Sequence, residues 1–168
     1  GYGASFAVDG TRLARLLDGT RFALPRDKVD LLASYLLDGS QWMMLGRHAD
    51  FGARGREIAR PGRGGAPKPS YLAVAAENLL GLREPPRPTE LRDMLRRARG
   101  EPDASPLSGA RHFWRSDFTT FQRPGFYASV RMFSDRIANT DFNGPENLLG
   151  HHLADGVTTL MTHGGEYA

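Results

Sequence analysis

The sequence predicts an α+β chain, with helices over the first hundred residues and antiparallel strands over the rest. Two observations carry this. Before Gly100 apolar residues recur every three or four positions; after Ala110 aromatic and β-branched residues dominate. Between them GEPDASPLSGA concentrates Gly, Pro, Ser and acidic residues, as interdomain connections do. The expected organisation is therefore a helical region 1–100, a linker 101–110 and a β region 111–168.

The helices follow in order. In FAVDGTRLARLLDG, Leu13, Leu16 and Leu17 share a face, and in PRDKVDLLASYLLDG so do Val29, Leu32, Tyr35 and Leu36. Each segment closes on LLDG, so Gly19 and Gly39 are the expected helix ends, 20 residues apart. A third helix is predicted from the N-cap candidate Ser70 to Gly81, and a fourth from Thr89 to Gly100, entered through REPPRP. Strands are predicted over Arg111–Gln122, Phe126–Phe133 and His151–Thr162, the first two joined by a type II turn at Pro124 and Gly125. Three strands leave an uncovered face and an unpaired edge, so the chain is expected to stop before its β domain is complete.

At 168 residues and 40% hydrophobic content the chain has enough apolar material for a core. Its apolar runs fall short of the ~20 residues of a membrane-spanning helix, so it reads as soluble and no membrane partner is expected. Zero cysteines exclude disulfides and thiolate metal sites. The net charge of +3 is unevenly divided: residues 1–100 carry 17 basic and 11 acidic groups, residues 101–168 carry 5 and 8. Twenty of the 22 basic residues are Arg, which either echoes a GC-rich genome or supplies planar forks for carboxylate and sulfate.

Three constellations can carry chemistry. Tyr2 lies in GYG, where glycines permit unusual backbone angles and close approach of a ligand; the plain alternative is a tyrosine packed at a turn. ADFGARGREIARPGRGG spaces Arg54, Arg56, Arg60 and Arg63 among glycines, either as a solvated basic loop or as a device for holding an anion. Nucleic acid is not the expected partner, because the aromatics that would stack on bases lie mainly in another segment. RIANTDFNGPENLLGHHLADG crowds Asn139, Asp141, Asn143, Glu146 and Asn147, suited either to turns or to recognition of sugar hydroxyls. His151, His152, His163 and Glu166 make a poor metal set, since adjacent strand residues point to opposite faces; no metal is expected.

Taken in order, GYG, RGREIAR, RPGFYASVRMFSDRI, the N-x-D…ENLLG…ADG run and a closing GGEY resemble polysaccharide lyase family 8, the hyaluronate, chondroitin and xanthan lyases. No single motif is specific, but the ordered set covers most of the chain, and Arg56 follows Tyr2 by 54 positions, matching the family's tyrosine and arginine. The resemblance implies the last helices of an incomplete α/α toroid followed by the first antiparallel strands of a β-sandwich. It also implies a secreted enzyme, monomeric at full length, that acts without a cofactor on an anionic polysaccharide. The implied reaction is β-elimination, in which a base removes the C5 proton of a uronic acid and the bond from C4 to oxygen breaks.

Such chemistry needs donors aimed at the charge developing beside C5, and a base effective near neutral pH. Tyrosine ordinarily titrates near ~10, so Tyr2 needs a cationic neighbour to favour its phenolate. Arg56 and Arg60 are the candidates, with Tyr2 as both base and acid; Arg54 is expected to brace the loop or touch glycan. Asp141 stands where the family commonly has Glu, one methylene longer, and is assigned to orienting the arginines; Glu146 and Asn147 fall to support or sugar binding. The family's Asn and His precede its tyrosine, and this chain begins one residue before Tyr2, so the chain alone is expected to be inactive. A non-catalytic glycan-binding module is the alternative, and a basic nucleic-acid scaffold a more distant one.

Overall fold

A computed structural model describes residues 2–59, 71–138, 144–148 and 150–167, without the side chains of Arg56 and Glu57. Its elements are helices and antiparallel sheets, an α+β chain, grouped into two compact units. One comprises Gly1–Gln41 with Lys68–Ser105, the other Trp42–Pro67 with Pro106–Ala168. The arginine-rich segment therefore groups with the strands, although in the chain it lies among the helices.

In the first unit the described helices are α1 (Tyr2–Leu17), α2 (Arg26–Ser34), α3 (Tyr71–Leu80) and α4 (Pro88–Arg99). α1 packs on α3, and α3 on α4. The interior is aliphatic: Leu36, Leu72, Ala75, Ala76, Leu79 and Leu91 are fully buried or nearly so. Thr11, buried on α1, donates to the Ala7 carbonyl at 2.7 Å and accepts from Asn78 of α3 at 3.2 Å, so its hydroxyl is fully used. α4 starts where Arg87, at a left-handed φ of 43°, donates to both oxygens of Asp38 (2.7 and 3.0 Å) and both of Glu90.

The two LLDG segments behave differently. Gly19 adopts φ 73° just after α1, and the carboxylate of Asp18 accepts the Arg83 amide at 2.7 Å. Gly39 ends no helix: α2 widens into a π turn (Tyr35–Gly39) and continues as a 3-10 turn (Ser40–Met43). Buried Leu36 and Leu37 hold the widened turn inward, which the repeated motif does not reveal. Gly100 does close α4 in the left-handed region, φ 72°.

In the second unit a short hairpin pairs β1 (Met44–Leu45) with β2 (His48–Ala49) through Gly46, whose φ of 56° suits the first central position of a tight hairpin turn. A four-stranded antiparallel sheet follows in the order β3 (Gly109–Phe113), β4 (Phe118–Arg123), β5 (Phe126–Met132), β6 (Asp155–Met161). The hairpin through Pro124 and Gly125 forms as expected, with Gly125 at φ 69°. The single strand expected over Arg111–Gln122 is instead a hairpin, Phe113 facing Phe118. Its turn, WRSD, is built by polar groups within the aromatic run: the Ser116 amide bonds the Phe113 carbonyl at 2.9 Å, Asp117 takes φ 45°, and Arg136 donates to Asp117 at 2.6 Å. The strand expected from His151 begins only at Asp155, because Gly150–His152 forms a 3-10 turn.

The alternating burial of β4 sets which face of this sheet is covered. The pairing aligns Arg111, Thr120, Ser129 and Thr159 in one row across four strands, and Gly109, Gln122, Tyr127 and Met161 in the next. Of these, Thr120, Gln122, Ser129 and Thr159 are buried beside Tyr127 and Met161, so hydroxyls and an amide share the covered surface with large apolar side chains.

Candidate functional site

Three short pieces of chain, one in the first unit and two in the second, carry the residues singled out from the sequence. Tyr2 opens α1 and is 82% exposed, so its phenol faces outward and not into a core. The glycine after it is helical and needs no special φ. Its lack of a side chain matters for another reason: a Cβ at Gly3 would collide with the Tyr35 hydroxyl at 2.5 Å, while the Tyr35 ring meets Phe6 edge-on at 5.4 Å. Close packing, rather than backbone freedom, explains that glycine.

Two buried tyrosines, Tyr71 and Tyr127, are unsuited to act as a base near neutrality. Burial pushes the Tyr71 hydroxyl up to about 12, Tyr35 adding to the rise and a hydrogen bond with Ser40 opposing it. Burial raises Tyr127 well beyond the ordinary tyrosine range, and the negative charge of Asp50 reinforces it.

The arginine-bearing piece, Gly52–Ala59, is two 3-10 turns joined at Gly55, whose φ of 58° and ψ of −144° lie where only glycine sits without strain. Arg54 and Arg56 are the backbone neighbours of this corner. The first turn is fixed by Asp50, fully buried, whose carboxylate accepts the Ala53 amide at 3.1 Å and the Ser129 hydroxyl at 2.5 Å. The Arg54 amide reaches the Phe51 carbonyl at 3.3 Å, and Arg131 of β5 donates to the Gly52 carbonyl at 2.6 Å. A Cβ at Gly52 would stand 3.1 Å from Asp50 Oδ1, so the chain passes close over this carboxylate.

Upstream, the same piece is held by Trp42. Gln122 donates to the Trp42 carbonyl at 3.1 Å, the Arg111 guanidinium lies 4.7 Å from the centre of a Trp42 ring, and Gly109 leaves room for the indole edge. Sequence reasoning missed Trp42, Asp50, Gln122, Ser129 and Arg131. One signal was available: an Asp three residues before Ala53 at the start of a glycine-bounded turn is a capping pattern. The partners on β4 and β5 carried none.

Arg60, Asp141 and the neighbouring Asn139 and Asn143 lie outside the described residues. Glu146 is half-buried and Asn147 buried. Asn147 adopts φ 59°, its carbonyl accepts the Gly150 amide at 2.9 Å, and its side-chain amide occupies the space a Cβ at Gly150 would need. Asn147 thus shapes the turn before Gly150. The His151 and His152 rings meet edge-on at 4.9 Å, His152 pairs with Asp155 at 2.6 Å, and His163 approaches Glu166 at 3.5 Å. Among the described residues no group of three His, Asp or Glu is arranged to hold a metal ion.

Residues 108–168 match a family model described as polysaccharide lyase family 8, super-sandwich domain. Over 172 aligned positions and 99% of its length, the chain is 29% identical to chondroitinase-AC of Pedobacter heparinus. The chain is thus similar to the family 8 polysaccharide lyases. It spans 23% of that curated relative's length. The same coverage appears in three dimensions: 99% of the chain superimposes on 24% of a chondroitinase AC lyase solved in enzyme–oligosaccharide complexes, at 28% identity and a TM-score of 0.84. The chondroitin AC lyase of Streptomyces coelicolor A3, solved in complex with chondroitin sulphate, shares the fold at 21% identity and TM-score 0.74, over 97% of this chain and 27% of its own. A Paenibacillus xanthan lyase does so at 20% identity and TM-score 0.66, over 96% and 18%. No helix among the described residues is long and apolar enough to cross a membrane.

Proposed function

We propose that this chain is part of a polysaccharide lyase that cleaves a uronic-acid-containing glycan by β-elimination, with chondroitin the first substrate to test. The observation that carries this is similarity over 99% of this chain, though only 23% of the relative, to chondroitinase-AC, together with an exposed Tyr2 and a Gly55 corner held by hydrogen bonds beside Arg54. Tyr2 takes the C5 proton as phenolate and returns a proton to the oxygen leaving C4. Arg56 and Arg60 favour the phenolate and meet the uronate; Arg54 braces the loop or touches glycan; Asp141 orients the arginines, with Glu146 and Asn147 in support. The reading places the helices in an incomplete α/α toroid, the strands in a β-sandwich, and the protein outside the cell, monomeric and without a cofactor.

The decisive experiment replaces the corresponding segment of the Pedobacter heparinus chondroitinase-AC with this chain. The graft should raise the ultraviolet absorbance of unsaturated uronate when given chondroitin, and Tyr2→Phe should abolish that rise while sparing binding. An unchanged rate in the Tyr2→Phe graft removes Tyr2 from the mechanism. Glycan binding without elimination favours a non-catalytic module, and affinity for nucleic acid that falls steeply with salt favours the basic scaffold.

A further inference from the structure

The arginine corner is built by side chains distant in sequence. Its backbone is fixed at Trp42 by Gln122 of β4, and at Gly52 by Arg131 of β5. Between these lies Asp50, with one carboxylate oxygen on the Ser129 hydroxyl of β5 and the other on the Ala53 amide. A carboxylate fully removed from water is expensive unless its lone pairs are met, and an apolar residue would fill this place at lower cost. A buried ionisable group whose bonds run between sheet and loop is therefore understood through what it orients.

We infer that Asp50, held by Ser129, is a positioning residue that fixes the direction of the Arg54–Gly55–Arg56 corner toward an anionic sugar. The inference rests on the lyase reading for the identity of that ligand. The mechanical part stands on geometry alone: the Asp50 carboxylate fixes the first amide of the turn, Arg131 fixes the carbonyl beside it, and Gly55 then converts that fixed start into a fixed exit.

The test uses the whole 168-residue chain with three variants, Ser129→Ala, Ser129→Thr and Asp50→Asn, and two readouts. Hydrogen exchange at the amides of Ala53–Ala59 is compared with exchange across β4 and β5, and affinity for chondroitin oligosaccharide is measured by calorimetry. Ser129→Ala and Asp50→Asn should speed exchange at least tenfold in the corner while β4 and β5 stay protected, and should weaken chondroitin binding at least threefold. Ser129→Thr, which keeps the hydroxyl, should restore both. Exchange that rises equally throughout the sheet, or that does not rise at all, overturns the positioning role. If the corner loosens while chondroitin affinity stays at the wild-type value, the orienting function is overturned. A wild-type chain that binds no chondroitin sinks the lyase reading instead, and the exchange pattern still decides the mechanical part.

Discussion

The two units are held together by different physics. The helical unit is closed mainly by hydrocarbon, with Leu36, Leu72, Leu79 and Leu91 almost wholly buried, while the sheet unit buries Asp50, Thr120, Gln122, Ser129 and Thr159 beside Phe118, Tyr127 and Met161. Burial of hydrocarbon is non-directional; it stabilises in proportion to area and tolerates small shifts. Hydrogen bonds from Gln122 and Arg131 to the Trp42 and Gly52 carbonyls, and from Ser129 to the Asp50 carboxylate, are directional and restrict the groups they join. The difference teaches where precision is needed: the arginine corner rests on the polar frame, whereas Tyr2 begins a helix secured by bulk packing.

This contrast can be broken experimentally. Leu79→Ala should cost about 2–5 kcal/mol by removing buried methyl groups and leaving a cavity. Both tryptophans, Trp42 and Trp114, lie in the sheet unit, so far-ultraviolet dichroism during urea unfolding should report the loss more strongly than tryptophan fluorescence. Identical shifts in both probes would show the units unfolding as one. Gln122→Ala should do the reverse, costing about 1–3 kcal/mol because the Trp42 carbonyl loses its buried partner, and appearing first in fluorescence.

How legible each unit was in the sequence follows from the same division. Helices in the first unit are local objects: the spacing of Val29, Leu32 and Leu36, and the glycines after Leu17 and Arg99, announce them. The helix running through Gly39 escaped because the packing that carries the chain past the glycine is tertiary. In the second unit the Pro124–Gly125 turn was readable, since its chemistry is contained in two residues. The WRSD turn was not, because aromatic residues on both sides mask Ser116 and Asp117, and Arg136, which secures the turn, is 19 residues further on. Asp50 and Ser129 are 79 residues apart, and nothing local joins them. For the candidate site, GYG and RGREIAR were visible in the sequence as motifs; the polar frame beneath Gly52–Ala59 was not.

Smaller effects sharpen the comparison at single backbone positions. Gly55→Ala places a side chain at φ 58°, ψ −144°, which should cost about 1–3 kcal/mol or, equally informative, be relieved by a turn of the corner that swings Arg56. Chondroitin affinity should then fall more than stability does. A variant that binds normally shows that the corner's direction is unimportant. Gly150→Ala drives a methyl into the Asn147 amide, and a nuclear Overhauser comparison should show that side chain displaced with β4 and β5 unmoved.

The smallest expected effect concerns the turn after β6. One carboxylate, Glu166, accepts the amides of Thr162 (2.5 Å), His163 (2.9 Å) and Gly164 (2.8 Å) and the Thr162 hydroxyl (2.8 Å). Desolvation acts to raise its pKa, but the amide donors of Thr162 and His163, with the Thr162 hydroxyl, outweigh it and hold the group well below the ordinary glutamate range. A depressed folded-state pKa means that the ionised form favours folding. That contribution is complete above the unfolded value of ~4.3 and disappears as acid drives the pH down through the lower folded value. Other carboxylates titrate in the same window, Glu90 and Asp117 among them, so the informative quantity is the wild type minus Glu166→Gln. Between pH 6 and 8, on the order of neutrality, that difference in melting temperature should be constant; below about pH 4 it should shrink. An unchanged difference down to acid pH would remove Glu166 from the stability of the turn, and the Gly164 amide, which donates to Glu166, would then need another anchor.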